Sequence, residues 1–264
     1  MKYAFMSFST PDLTLDGMLT LAQDLGYSAI EPRSVSKHAH GVEPEAGEEQ
    51  RGIIRRSAEA SGIDICCIAT SCRYADPGTV AANVEDTHRF IDLAGDIGTK
   101  RLRIFGGKLG EGVSRAAAID GVAGALRAVA SHAEERDVVL CLETHDDWCD
   151  PAHVAAVLRK VDHTHIAVNW DILHPVRTAG YTMIDAYEAL KPWLRHVHFH
   201  DSRSIDGELV MVPVGTGICN HRDAVALLQN HGYDEYLSGE WINWEPFETH
   251  LPRELATMKS YENN

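Results

Sequence analysis

Short apolar segments alternate with amphipathic helical patterns along the chain of 264 residues. After the first apolar segment, hydrophobic side chains recur at helical spacing from Leu15 to Leu25, and Gly26 stands where a helix ends. After the seventh, Asn220 can cap a helix that Gly232 ends. The other helices are predicted near 48–61, 79–97, 112–136, 151–161, 182–191 and 251–261. Eight segments are predicted as strands: 2–8, 28–33, 63–71, 100–107, 138–145, 165–172, 194–201 and 235–242.

Eight strand–helix units in this length average about 33 residues each, which is close to a (β/α)₈ TIM barrel. The composition contains no linker or break, so we predict one barrel domain over residues 1–264. The alternative is an open doubly wound sheet with a nucleotide site at its strand-order switch. The glycine-rich segment 106–112, GGKLGEG, fits neither phosphate-binding fingerprint. The barrel is therefore favoured.

The charge balance narrows the choice of partners. The chain has 24 Lys and Arg against 39 Asp and Glu, a net charge of −15, which argues against a nucleic-acid partner. The apolar runs are all shorter than the roughly 18 residues that span a bilayer, so no membrane partner is predicted. The first residues lack the apolar core of a secretion signal, and a cytoplasmic location is therefore expected.

Polar residues fall at the inward positions near the carboxyl ends of several predicted strands. In a barrel, alternate side chains face the interior, and catalytic groups lie at these strand ends. Apolar residues fill the opposite parity. The inward set carries acids in the fifth, sixth and eighth strands and three histidines in the seventh: Glu143, Asp171, Glu240, His196, His198 and His200.

Three carboxylates in one barrel mouth would raise one another's pKa values unless a cation lay among them. Together with an imidazole, they suit one divalent ion, Mn²⁺ or Mg²⁺ first, with Co²⁺ and Zn²⁺ as alternatives. The competing interpretation is a set of unrelated polar residues at loop entrances. Four strands in phase favour a metal site, although spacing alone does not choose among the three histidines.

Further residues are candidates for binding substrate. Glu31 and Arg33 share a parity at the end of the second strand, where they would hydrogen-bond a polyol or form an ion pair at the rim. Lys108 ends the fourth strand and would meet an anionic group, unless it is simply an exposed lysine. His145 shares the face of Glu143, which suggests a contact with substrate.

Four segments resemble the xylose isomerase-like TIM barrel superfamily of ketose 3-epimerases, inosose dehydratases and apurinic-site endonucleases. They are LETHDD at 142–147, NWDILHP at 169–175, HVHFHDS at 196–202 and YLSGEW at 236–241. The resemblance covers most of the chain and is most specific after residue 138; it is also close from 212 to 241. It implies a homodimer and one divalent metal bound by Glu143, Asp171, His198 and Glu240. It also implies that His174 and Arg203 contact substrate, and His200 then belongs to the pocket wall or supports the ligands.

The resemblance also implies the chemistry. The metal polarises a carbonyl and stabilises an enediolate, while Glu143 and Glu240 remove and return protons. We therefore predict an isomerase or epimerase acting on a sugar or polyol-derived ketone. Loss of a β-hydroxyl from the same intermediate would make the protein a lyase of the inosose or dehydroshikimate dehydratase type. Cys149 stands about where the epimerases carry a further substrate-binding glutamate, which weakens the case for a free ketohexose.

Two other functions are less favoured. The endonucleases of this superfamily use extra histidines and an Asp-x-His pair, and the segment 202–218 contains no such pair. A non-catalytic sugar-binding protein would not need acids at both ends of a proton path. Both alternatives rank below the enzyme.

Overall fold

A parallel sheet forms the centre of the computed structural model, which describes residues 1–263. The sheet order is β3-β2-β1-β11-β8-β7-β6-β5-β4. The two end segments, β3 and β4, are consecutive pieces of one barrel strand, and a bridge between Arg33 and Ala69 joins β4 to the segment after β2. These contacts nearly close the sheet, and the predicted TIM barrel is confirmed. The strands of the sheet are β1 (Lys2–Met6), β2 (Ala29–Glu31), β3 (Asp64–Ile65), β4 (Ile68–Arg73), β5 (Arg101–Phe105), β6 (Val139–Glu143), β7 (Ile166–Asp171), β8 (Leu194–Phe199) and β11 (Tyr236–Gly239).

Helices cover the outside of the sheet, and eight of the nine described α-helices lie where the sequence predicts them; the short helix Leu173–Ala179 was not predicted. Side chains of Thr14, Ser114 and Asp150 cap the first turns of three helices by accepting backbone N–H bonds. None of the helices within residues 1–263 is long and apolar enough to cross a membrane. The helices are α1 (Leu15–Leu25), α2 (Glu48–Ser61), α3 (Val80–Ile97), α4 (Arg115–Glu135), α5 (Pro151–Val161), α6 (Leu173–Ala179), α7 (Met183–Leu190), α8 (His221–Asn230) and α9 (Phe247–Tyr261).

The strand register sets which side chains face the barrel interior. Phe105 pairs with Glu143, and Asp171 pairs with His198, so these strand ends lie at similar heights. Near the opposite ends of the strands, small residues such as Ala4 and Ala29 form a separate buried cluster with Cys66, Cys67 and Tyr236. The large apolar side chains pack instead between the sheet and the helices.

A β-hairpin that the sequence did not predict follows β8. Its strands are β9 (Asp201–Ile205) and β10 (Glu208–Val212), which pair only with each other. The turn residues Asp206 and Gly207 have φ values of 52° and 85°, the left-handed pair that a two-residue hairpin turn requires. The Asp-Gly pair at 206–207 is the sequence signal for this hairpin.

Asp201 fixes the base of this hairpin. Its carboxylate is fully buried, and it accepts backbone N–H bonds from Ser202 at 2.9 Å, Gly215 at 3.0 Å, Gly217 at 2.9 Å and Cys219 at 3.1 Å. A Cβ added to Gly217 would lie 2.2 Å from Oδ1 of Asp201. The close approach therefore explains why glycine occupies this position.

We expect Asp201→Asn to lower the free energy of unfolding by about 3 kcal/mol, because an amide NH₂ would face two of the four N–H donors and the charge-assisted bonds would be lost. Urea denaturation measures the difference. Asp206→Asn is the matched control, since asparagine tolerates the left-handed conformation at the exposed turn. An equal loss in both variants would contradict this role for Asp201.

Candidate metal centre

Four side chains meet at the carboxyl ends of neighbouring barrel strands. Glu143 ends β6, Asp171 ends β7, His198 lies in β8 and Glu240 directly follows β11. One ligand atom from each lies within 4.8 Å of those of the other three. All four residues are buried, with Glu240 the most exposed at 8%. The structure therefore brings together the four residues that were predicted to meet. These residues form the four-residue cluster.

Neighbouring groups hold two of these carboxylates in place. Oδ1 of Asp171 accepts the backbone N–H groups of Leu173 at 2.9 Å and His174 at 3.2 Å, at the start of α6. Oδ2 of the same residue accepts a bond from Nε2 of His200 at 3.0 Å. Oε1 of Glu143 accepts Nδ2 of Asn169 at 3.2 Å. These bonds orient both carboxylates towards the shared centre.

The electrostatics of the cluster favour positive charge at its centre. Burial alone would raise the pKa values of Asp171 and Glu240, but the histidines around them hold both below their usual range. Burial would lower the pKa of His198, and the charges of Glu31 and Glu143 instead raise it well above its usual value. The carboxylates therefore stay ionised and attract a cation.

The donor set fits a divalent metal ion. Three carboxylates and one imidazole, buried and within 4.8 Å of one another, match the mixed oxygen and nitrogen ligands of Mn²⁺, Mg²⁺ or Zn²⁺ sites. Nδ1 of His198 lies 2.7 Å from Oε1 of Glu143 and 3.5 Å from Oε2 of Glu240. This nitrogen, rather than Nε2, therefore faces the cluster.

Glu31 and His196 lie beneath the four-residue cluster, inside the barrel. Both are fully buried, and Nε2 of His196 donates to Oε2 of Glu31 at 2.8 Å. Nε2 of His198 lies 3.0 Å from Oε1 of the same carboxylate. Burial would raise the pKa of Glu31, but the two histidines hold it well below its usual value. His196 is buried, as expected of a core residue, but it also bonds a buried acid.

A cavity of about 440 Å³ opens above Glu240. His145, His174 and His200 line its polar side, with the His145 and His174 rings 4.7 Å apart. Burial alone would lower the pKa of His145, but the hydrogen bond with Asp146 and the charges of Glu143 and Glu240 raise it to about 9. The other wall is largely apolar: Leu209, Val210 and Met211 come from the hairpin, and Ile242 and Trp244 come from the segment after β11.

Three residues predicted to bind substrate lie away from this cavity lining. Arg203 is exposed in β9, and Lys108 lines a neighbouring cavity of about 380 Å³ with Asp146. Glu31 is buried below the four-residue cluster, and the alternative of an ion pair with Arg33 is not seen, since Arg33 bonds to Ser34, Ala69 and Ser71 instead. Substrate contact by Arg203, Lys108 and Glu31 stays a prediction.

Two arginines that lie near the site were not predicted from the sequence as site residues. Arg103 is 1% exposed, its Nε lies 3.4 Å from Oε2 of Glu143, and its guanidinium stacks 4.0 Å from the ring centre of Phe105. Arg177 lines the cavity and bonds Nδ1 of His174 at 3.3 Å. Strand parity could have found Arg103, because it shares the inward face of Phe105. Arg177 follows His174 by three residues, so it lies on the same face of a short helix.

This chain is similar to several known proteins in sequence or in fold. A 3-dehydroshikimate dehydratase of Bacillus anthracis is 21% identical over 262 residues, covering 92% of this chain and 91% of that protein. The crystal structure of a D-psicose 3-epimerase with D-fructose has a TM-score of 0.81 at 16% identity, covering all of both chains. That of the IOLI protein with a zinc atom has a TM-score of 0.80 at 16% identity, covering 99% of this chain and 96% of that chain.

The fold and the site together define a TIM barrel with a cluster of acids and histidine at the carboxyl ends of its strands. The family of xylose isomerase-like TIM barrels matches residues 19–261. The chain belongs to this family. Proteins similar to it include a 3-dehydroshikimate dehydratase, a D-psicose 3-epimerase and an L-ribulose 3-epimerase.

Proposed function

We propose that the protein is a divalent-metal-dependent isomerase or epimerase that transfers a proton next to the carbonyl of a sugar or polyol-derived ketone. The observation that carries the proposal is the placement of Glu143 and Glu240. Their strands are separated by β7 and β8 around the barrel, yet both carboxylates reach the same four-residue cluster. A substrate bound at this centre would have a carboxylate on each side.

The chain's own residues supply the proton transfers. One of Glu143 and Glu240 takes the carbon-bound proton, and the other returns a proton to the opposite face or to the neighbouring carbon. His174 and His145 line the cavity, and their ring nitrogens would bond hydroxyl groups of a substrate there. A metal held by the four-residue cluster, with Mn²⁺ or Mg²⁺ favoured, would polarise the carbonyl and stabilise the developing negative charge.

A second candidate is dehydration of a polyhydroxylated keto acid, with loss of a β-hydroxyl after the same proton abstraction. Two observations favour it: the similarity to a 3-dehydroshikimate dehydratase along most of the chain, and the guanidinium of Arg177 in the cavity lining. An arginine is well suited to bind a substrate carboxylate. The two candidates share their first step and differ in the product.

The deciding experiment is NMR in D₂O with the manganese-loaded protein, using ketoses, inososes and dehydroshikimate as substrates. The protein and the paramagnetic Mn²⁺ are removed before the spectra are recorded. We expect one of these compounds to carry deuterium at a carbon next to its carbonyl. An epimerised or isomerised product supports the first candidate, and an unsaturated product supports the second. If none of the compounds exchanges and the protein does not bind Mn²⁺, the proposal is wrong.

A further inference from the structure

Glu31 lies inside the barrel, beneath the four-residue cluster. It ends β2, which β1 and β11 separate from β8 in the sheet, and its side chain crosses the barrel interior to reach the histidines of β8. It is 0% exposed, and it does not line the cavity above Glu240. Both of its oxygens already accept bonds from imidazole nitrogens. Its partners are therefore protein groups.

The contacts of His198 differ at its two ring nitrogens. Nε2 lies 3.0 Å from Oε1 and 3.2 Å from Oε2 of Glu31, while Nδ1 lies 2.7 Å from Oε1 of Glu143. A neutral imidazole has one N–H group and one lone pair, and the acceptor at one nitrogen decides which carries the proton. In the metal-free protein both nitrogens face a carboxylate. Because Glu31 lies outside the four-residue cluster, a cation bound in the cluster would replace the proton at Nδ1, while the N–H at Nε2 keeps Glu31 as its acceptor.

We propose that Glu31 is a positioning residue that, together with His196, fixes the ring orientation and tautomer of His198 so that Nδ1 is presented as a metal ligand. His196 gives Glu31 a second donor at 2.8 Å, and this bond prevents the carboxylate from turning away from His198. Carboxylates that accept the distal N–H of a ligating histidine increase its affinity for metal. This inference rests on the proposed function only in requiring that the four-residue cluster binds a metal.

The test measures metal binding without substrate. MnCl₂ is titrated calorimetrically into metal-free wild type, Glu31→Gln and Glu254→Gln. We expect Glu31→Gln to bind Mn²⁺ about 10- to 100-fold more weakly, because an amide cannot accept bonds from both histidines. Glu254 is an equally buried glutamate of α9 that bonds Val214 and Arg253, so its variant controls for the loss of a buried carboxylate elsewhere. It should bind like wild type.

A second measurement reads the tautomer directly and does not depend on a variant that folds. In the zinc-loaded wild type, long-range ¹H–¹⁵N NMR of the histidine rings should show His198 protonated at Nε2 and bound to metal at Nδ1. A His198 bound through Nε2 overturns the proposal, as does unchanged Mn²⁺ affinity in folded Glu31→Gln. If wild type itself binds none of Mn²⁺, Mg²⁺ and Zn²⁺, the metal site of the proposed function fails and this inference fails with it. Binding by wild type with unchanged Glu31→Gln overturns only the role of Glu31.

Discussion

Replacing Glu240 with glutamine should slow the exchange of the substrate's α-proton by about 10³-fold, the range that a positioned acid–base group contributes. Glutamine keeps the size of the side chain but cannot take or return a proton. The substitution also removes one of the three carboxylates of the four-residue cluster, so the affinity for Mn²⁺ should fall as well. Exchange is measured by NMR in D₂O at saturating Mn²⁺, which separates the loss of proton transfer from the loss of metal.

Glu248→Gln is the control for this experiment, since Glu248 lies exposed in the first turn of α9. It should exchange at the wild-type rate. If Glu240→Gln retains wild-type exchange and wild-type metal content, then Glu240 neither transfers the proton nor binds the ion. In that case the proposed mechanism is wrong.

Arg103→Met should lower the free energy of unfolding by about 2–4 kcal/mol, because Oε2 of Glu143 and the carbonyl oxygen of Thr70 would lose a buried donor, while Oε1 of Glu143 keeps Asn169 and His198. Arg103 and Glu143 are both 1% exposed, and Nη1 of Arg103 also donates to the carbonyl oxygen of Thr70 at 2.9 Å. Methionine fills part of the space but leaves that carbonyl and Glu143 without the guanidinium. Urea denaturation of the metal-free protein gives the difference.

Arg127→Met provides the comparison for Arg103→Met. Arg127 is an exposed arginine of α4 that donates to the carbonyl oxygen of Lys160 at 2.8 Å, and its replacement should change the free energy of unfolding by less than about 0.5 kcal/mol. Similar small losses in both variants would show that the buried pair of Arg103 and Glu143 contributes little. Added Mn²⁺ should restore part of the lost stability in Arg103→Met if the ion compensates the charge of Glu143.

Alternation along the strands was enough to predict the barrel and the meeting of three acids with a histidine of the seventh strand. Because side chains in a strand alternate with period two, Glu143 and Asp171 could be assigned to the interior from their apolar neighbours alone. The choice of His198 over His196 and His200 needed the resemblance to a family. The structure shows why parity could not make that choice: all three imidazoles face inward, at three different depths, and each bonds a different set of carboxylates.

The sequence does not predict how deep inside the barrel each inward-facing side chain lies. Glu31 and Glu143 both end strands and share an inward parity, yet one lies beneath the cluster and the other within it. The stagger between neighbouring strands decides this height, and stagger depends on pairing across the whole barrel. Lys108 and Arg203 lie just beyond strand ends, where the course of the loop or hairpin decides what the side chain meets.

The hairpin of β9 and β10 makes one consequence clear. It pairs with no barrel strand, its base is held by Asp201, and its residues Leu209, Val210 and Met211 supply an apolar wall of the cavity. The four-residue cluster lies at the ends of the barrel strands. Under the proposed function, substitutions between residues 203 and 211 should therefore change which molecules fit the mouth without disturbing the acids and histidine below. Selectivity and reactivity would then be carried by separate parts of the chain, and each could evolve while the other is kept.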